Sequence, residues 1–237
     1  RVFGDRPTPL VVGAPVLGRY VVFGNLFARS GLDTEPFRLD RHPTMSRHPV
    51  TPMNEADLRL HLGRQTKLPI ELVDFLKLRQ AEAGSKLRDF AAADKSAAPV
   101  VLFDTTGEHD LPVIGRLICS ATSKHKPLFV AGSSGIEYAW VAHWREVGSL
   151  ARPPKEARIR RRPRPQVVVV SGSCSPVTDR QIAQAAAGGF VEIACDPAAL
   201  AQNGTRDAAI KAALTKAAPA LSAGKNVIFQ TARGPND

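Results

Sequence analysis

The sequence predicts an α/β protein: two α/β domains with mainly parallel sheets, joined by a basic Pro-rich linker. Three observations carry that prediction. From residue 99, short β-rich runs alternate with helical spacing: PVVLFD (99–104) then DLPVIGRLICSATS (110–123), PLFVAG (127–132) then IEYAWVAHWREV (136–147). Strands alternating with helices across short loops are the mark of a parallel sheet. The alternation stops at 150–165, where Arg152, Lys155, Arg158, Arg160, Arg161, Arg162 and Arg164 are interleaved with Pro153, Pro154, Pro163 and Pro165. Prolines fix φ and lack a donor, so the run reads as an extended linker. It then resumes with QVVVVS (166–171), VTDRQIAQAAA (177–187), FVEIA (190–194), an Ala-rich helix from about Thr205 to Ala218, and NVIFQTA (226–232). The domains are therefore drawn at 1–149 and 166–237.

Towards the N-terminus, TPLVVG (8–13) and RYVVF (19–23) read as strands separated by a Gly/Pro loop. Residues 25–53 show little periodicity and read as a long irregular segment, the kind that more often carries function than not. Asn54 reads as an N-cap, with Glu55 and Asp57 in the first turn, where acids complement the helix dipole. Leu58, His61 and Leu62 fall on one side of the helix that follows, and a second helix is expected from about Glu71 to Phe90.

The chain of 237 residues is 43% hydrophobic and 23% charged, which is enough apolar material for a real core in an ordinary globular protein. No apolar run approaches the roughly 20 residues that cross a bilayer, so no membrane association is expected. Three cysteines, Cys119, Cys174 and Cys195, argue against a disulfide framework and for a reducing, cytoplasmic setting. No CxxC, HxxxH or HExxH is present, and His42 and His48 alone do not make a zinc site, so no protein-held metal is expected. The net charge of +10 is concentrated in the 150–165 run, where Glu156 is the single acid. A solvated linker accounts for that run better than nucleic-acid binding does.

Two strand-to-helix turns are rich in Gly and Ser: Gly132, Ser133, Ser134 and Gly135, and Ser171, Gly172, Ser173, Cys174 and Ser175. Free amides at a helix start attract anions, and small residues let a phosphate or carboxylate reach the backbone. Neither turn is a GxxxxGK[ST] or GxGxxG loop, so each could equally be a tight connection. Asp104, ending PVVLFD, could hold a metal or cap the next element. In 38–53 the triplet Arg-His-Pro occurs twice, and its Arg41, His42, Arg47, His48 and Thr51 suit a small carboxylate and developing phosphoryl charge. A serine or cysteine hydrolase is disfavoured, because no GxSxG is present and no histidine follows His143.

Taken together, VVGAPVLGRYVVFGNLFAR (11–29), RLDRHPTMSRHPVTPMNEADLRLHLGRQT (38–66), FVAGSSGIEYA (129–139) and VVVSGSCSPVTDRQI (168–182) resemble the four-carbon acid sugar kinases. That family was long a domain of unknown function, and some members carry an older label as Hrp-dependent type III effectors. The resemblance implies an N-terminal acid-sugar domain, a C-terminal ATP domain, and magnesium entering with ATP. It implies transfer of the γ-phosphoryl group to the terminal hydroxyl of a tetronate or 3-oxo-tetronate. It places Gly132–Gly135 and the Arg-His-Pro loop on the acid-sugar side and Ser171–Ser175 on the nucleotide side. The Asp-Asp-x-Thr-Gly-type turn and the Gly-Gly-Asp-Thr-type segment of relatives do not occur in residues 1–237, so the chain looks truncated at both ends. The acidic catalytic group is then expected outside it. The alternative is a non-catalytic binding or effector protein that kept the fold; a homodimer is compatible with both.

Overall fold

The computed structural model describes residues 6–31, 34–48, 50–81, 85, 87, 99–123, 125–151 and 166–234. The arginine run at 152–165 lies outside these residues. The chain divides into two compact units, residues 1–155 and 156–237.

In the first unit the core strands are β1 (Thr8–Val11), β5 (Ile70–Val73), β6 (Val100–Phe103) and β7 (Ala131–Gly132), all parallel, in the order β5-β6-β1-β7. β6 is buried at every position, as a central parallel strand covered on both faces must be. On one face, Val11, Val101 and Phe103 meet Leu111, Ile114, Leu117 and Ile118 of α3 (Leu111–Ser120) and Ile136 and Ala139 of α4 (Gly135–Glu146). The opposite face carries Leu102, which packs with Val21, Leu26, Leu39 and Leu58.

Val21 and Leu26 belong to an antiparallel sheet of β2 (Arg19–Val22), β3 (Asn25–Arg29) and β4 (Pro36–Arg38), order β2-β3-β4. Strands β3 and β4 fall inside the segment expected to be irregular. The sequence signal was weak because the hairpin turn is Phe23-Gly24, with φ of 48° and 79°, and Phe is an unusual choice for the left-handed region. The N-cap expected at Asn54 sits instead at Asp57, whose carboxylate accepts from Arg59 N, and α1 is short (Leu58–Gly63). The pairing reaches further than expected: Leu26 N donates to Ala56 O, and an isolated antiparallel bridge joins Asn25 to Asp57.

The helix expected over 71–90 is also corrected where it can be described. Ile70–Val73 pairs with β6, Asp74 then caps a short helix, α2 (Phe75–Gln80), and residues 88–90 lie outside the described set. Pairing with a fully buried strand outweighed local helical preference. Of the strand expected over 127–132, only Ala131–Gly132 is paired with β1.

The second unit is a parallel sheet of β8 (Val168–Ser171), β9 (Val191–Ala194) and β10 (Val227–Gln230), order β8-β10-β9. Helices α5 (Pro176–Ala187), α6 (Pro197–Ala201) and α7 (Asn203–Ser222) connect them, and Ile193, Ala217 and Val227 form the core. β8 is an edge strand, and its Val168 and Val170 are 52% and 79% exposed.

Candidate functional site

Parallel strands deliver all their outgoing loops to one end of a sheet, where ligands of open α/β folds bind. In the first unit, that end holds the loops after β1, β6 and β7. The glycines of the last loop are fixed by close approach to β1. A Cβ on Gly135 would lie 1.9 Å from Gly13 O, and one on Gly132 would lie 2.0 Å from Val11 O. Ser133 is occupied in the same way: its N–H donates to Val11 O (2.9 Å) and its Oγ to Val12 O (2.8 Å), while Oγ accepts from Gly135 N (3.2 Å). Ser134 is exposed at the start of the 12-residue α4, with no side-chain capping bond, so it is the group of this turn turned to solvent.

The Asp104 side chain is fully buried at the end of β6 and caps neighbouring elements. It accepts from Phe23 N (2.7 Å), Gly24 N (2.8 Å) and Phe75 N (3.2 Å), pinning the hairpin turn and the start of α2. Burial raises its pKa, with the three amides pulling the other way. Beyond it, Asp110 closes the loop by accepting from Thr106 N (2.7 Å), Thr106 Oγ1 (2.8 Å) and Gly107 N (3.2 Å). Asp57 pairs with Arg59 through Nε (3.0 Å) and Nη2 (2.6 Å). Burial would raise the Asp57 carboxyl, but the Arg59 guanidinium and nearby amides outweigh it and hold the pKa low.

The Arg-His-Pro repeat has a local structural basis. His42 and His48 share one backbone conformation (φ −67°, ψ 128° and φ −60°, ψ 129°), the extended state that a following proline imposes. His42 Nδ1 accepts from Thr44 N (3.2 Å) and Met45 N (3.1 Å); His48 Nδ1 accepts from Val50 N (3.4 Å) and Thr51 N (3.0 Å). Each imidazole thus closes its own turn through amides two and three residues on, and Thr51 Oγ1 lies 3.1 Å from His48 Nδ1. An accepting Nδ1 leaves the proton of the neutral ring on Nε2. Arg41 and Arg47 precede the two histidines and are exposed, with no side-chain hydrogen bond or ion pair among the described residues, although the Arg41 charge helps to lower the Asp40 carboxyl. No hydrogen bond among the described residues joins this loop to Gly132–Gly135.

In the second unit the Ser171–Ser175 turn leads from β8 into the 12-residue α5. Ser175 Oγ accepts from Val177 N (3.2 Å), and Ser173 Oγ accepts from Ser175 N (3.2 Å) and Thr178 Oγ1 (3.1 Å). Cys174 is an exposed free thiol. A Cβ on Gly172 would meet only Thr231 Oγ1, at 3.6 Å, so the backbone is open to a ligand there. Among the described residues, no protein acceptor is found for the amides of Gly172, Ser173 and Cys174. These features fit a phosphate group.

Behind the turn, Arg233 binds Asp179 Oδ1 (2.7 Å) in the first turn of α5 and Glu192 of β9 (2.8 and 2.7 Å), and Gln230 Nε2 also donates to Glu192 (3.0 Å). Sequence reasoning missed this clamp and the Asp57–Arg59 pair; the available signal for the latter was an Asp two residues before an Arg at a helix start. Among the described residues no group of three or more His, Cys, Asp or Glu could hold a metal, so a dedicated magnesium site does not fit them.

A family model for a sugar-binding N-terminal domain matches residues 1–140, and one for a nucleotide-binding C-terminal domain matches residues 168–237. The chain belongs to the four-carbon acid sugar kinase family. It is 49% identical, over 97% of its length, to a 3-oxo-isoapionate kinase of Paraburkholderia graminis, of which it covers 47%. It is 31% identical, over 78% of its length, to a 3-oxo-tetronate kinase of Methylobacterium radiotolerans, of which it covers 40%. The chain thus spans under half the length of these relatives. A crystal structure from Salmonella typhimurium LT2 shares the fold, with a TM-score of 0.62 and 21% identity over 95% of this chain and 49% of that one. No described helix is long and apolar enough to cross a membrane.

Proposed function

We propose that this chain serves in an ATP-dependent kinase that phosphorylates a terminal hydroxyl of a small acid sugar, unit 1 holding the acid and unit 2 the nucleotide. The observation that carries this is the open Ser171–Ser175 turn: unclaimed amides, no side chain at Gly172, and a 12-residue helix behind it, in a chain 49% identical to a sugar-acid kinase. That relative makes 3-oxo-isoapionate the first substrate to test, with the 3-oxo-tetronates next.

In this scheme Arg41 and Arg47 meet the substrate carboxylate, a role that guanidinium planarity suits. His42 and His48 hold the loop through Nδ1, leaving Nε2–H to donate to a substrate oxygen. Ser134 and the start of α4 bind a further anionic or hydroxyl oxygen. The γ-phosphoryl group passes to the sugar hydroxyl, whose proton goes to a base outside the residues assigned here, and ADP leaves. Magnesium would enter with the phosphates, which need few protein ligands. The localisation this supports is cytoplasmic.

The test is a split of kinetic constants in the intact polypeptide. Replacing Arg41 and Arg47 by Met is expected to raise KM for the acid by roughly tenfold or more, as loss of charge-assisted bonds does, while leaving KM for ATP nearly unchanged. Gly172→Val should do the reverse. Unchanged constants in both, or the opposite split, would refute the division of labour. A folded polypeptide that binds the acid without turnover would favour the non-catalytic alternative.

A further inference from the structure

We infer, on the reading of Ser171–Ser175 as the nucleotide turn, that Thr231 is a further phosphate-binding residue: its hydroxyl donates to a phosphate oxygen seated over Gly172. Thr231 comes from outside the turn. It follows β10, the middle strand of the order β8-β10-β9. Gln230 pairs with Ser171, and Thr231 N donates to Ser171 O (3.1 Å), which continues the parallel ladder by one rung. That rung sets Thr231 beside Gly172, and neighbours in a ladder present their side chains on the same face. Gly172 has no side chain to present. The space this leaves is bordered within 4 Å, among the described residues, by Thr231 Oγ1, which lies 3.6 Å from where a Cβ would stand. A ligand group that occupies the space is therefore within reach of the Thr231 hydroxyl.

The hydroxyl is both available and held in place. Ser175 Oγ accepts from Val177 N, and Ser173 Oγ accepts from Ser175 N and Thr178 Oγ1, so both serine oxygens are engaged in building the turn. Thr231 is half-buried, and its Oγ1 makes no hydrogen bond among the described residues. The ladder bond fixes its backbone on one side. Two residues on, Arg233 is tied to Asp179 and Glu192 and fixes the other. Branching at Cβ restricts χ1 as well, so the direction of the O–H bond is narrowed before any ligand arrives. A donor placed in advance loses little freedom on binding. Beside it lie the amides of Gly172, Ser173 and Cys174 and the start of the 12-residue α5, where negative charge is favoured. Hydrogen bonds to a charged oxygen are the stronger kind, which suits phosphate over a neutral group.

Calorimetric titration of the intact polypeptide with ATP, in the absence of the acid, tests this role. Thr231→Val keeps the shape of the side chain and removes the hydroxyl, and it should weaken ATP about tenfold. Thr231→Ser restores the hydroxyl and should bind ATP within about threefold of the parent. Adenosine, which carries no phosphate, should bind both variants as it binds the parent. Equal losses in the Val and Ser variants, or equal losses for adenosine and ATP, would show that Thr231 acts by packing and would overturn its role as a phosphate ligand. Gly172→Val separates this role from the reading beneath it. ATP lost in Gly172→Val but held by Thr231→Val within about twofold of the parent would overturn the Thr231 role alone. Unchanged ATP binding in both would remove the nucleotide turn itself.

Discussion

Asp104→Ala strips three buried or half-buried amides of their acceptor at once: Phe23 N, Gly24 N and Phe75 N. An orphaned buried donor costs about 1–3 kcal/mol, and the bond from Phe75 N, at 3.2 Å, is the weakest. Against the combined loss stands relief from burying a carboxylate whose pKa burial has raised. The net expectation is a loss of roughly 2–4 kcal/mol, or a urea midpoint lower by about 1–2 M for an m-value near 2 kcal/mol/M. The chain has 2 tryptophans, Trp140 and Trp144, both on α4, so their fluorescence reports unit 1. Asp104→Asn should recover less than half of the loss, because its NH₂ faces an N–H donor at one of the two oxygen positions. The pH dependence has a definite sign. With a raised folded pKa the native state binds the proton more readily than the unfolded chain, so Asp104's contribution weakens as pH rises through that pKa and is fullest below the unfolded value near 3.8. An Asp104→Ala midpoint within about 0.3 M of the parent, or full rescue by Asn, would refute the capping role.

Gly135→Ala should destabilise unit 1 by about 3 kcal/mol, because its Cβ would sit 1.9 Å from Gly13 O; an unchanged tryptophan-reported transition contradicts this. Asp57 has the opposite pH sign from Asp104. Its pKa is lowered, so its contribution is present above the ordinary 3.8 and lost as pH falls through the folded value. The stability gap between parent and Asp57→Asn should therefore close on acidification, as urea midpoints across that range would show. Arg233→Met should speed amide exchange in the first turn of α5 and raise KM for ATP more than KM for the acid. Equal effects on both constants would remove Arg233 as a positioning residue for the nucleotide turn.

The parallel framework was legible where periodicity was strong. β6, α3 and α4 lie close to their expected places because PVVLFD and the Leu111/Ile114/Leu117/Ile118 spacing admit one period each. Strand β5 was hidden because Ile-Glu-Leu-Val runs straight into the helical spacing of Phe75–Gln80, and only pairing with β6 separates them. The β2–β3 hairpin was hidden by a Phe at a left-handed position, held there by an Asp 81 residues away. The Gly/Ser turns were visible as composition, but not their division of labour. Ser133 is consumed in holding the turn to β1, while Ser134 faces solvent. Likewise the two Arg-His-Pro triplets were visible, whereas the matching Nδ1 contacts that explain their repetition required coordinates. The valine run of β8 was legible as a strand, but its place at the edge among the described residues required the pairing with β10.

The most direct measurement is ATP-dependent ADP release by the intact polypeptide, offered 3-oxo-isoapionate, the 3-oxo-tetronates, erythronate and threonate. Turnover with one of these acids, and none with ATP alone, is the predicted result. Folded protein that binds ATP yet releases no ADP with any acid of the panel would contradict the kinase assignment.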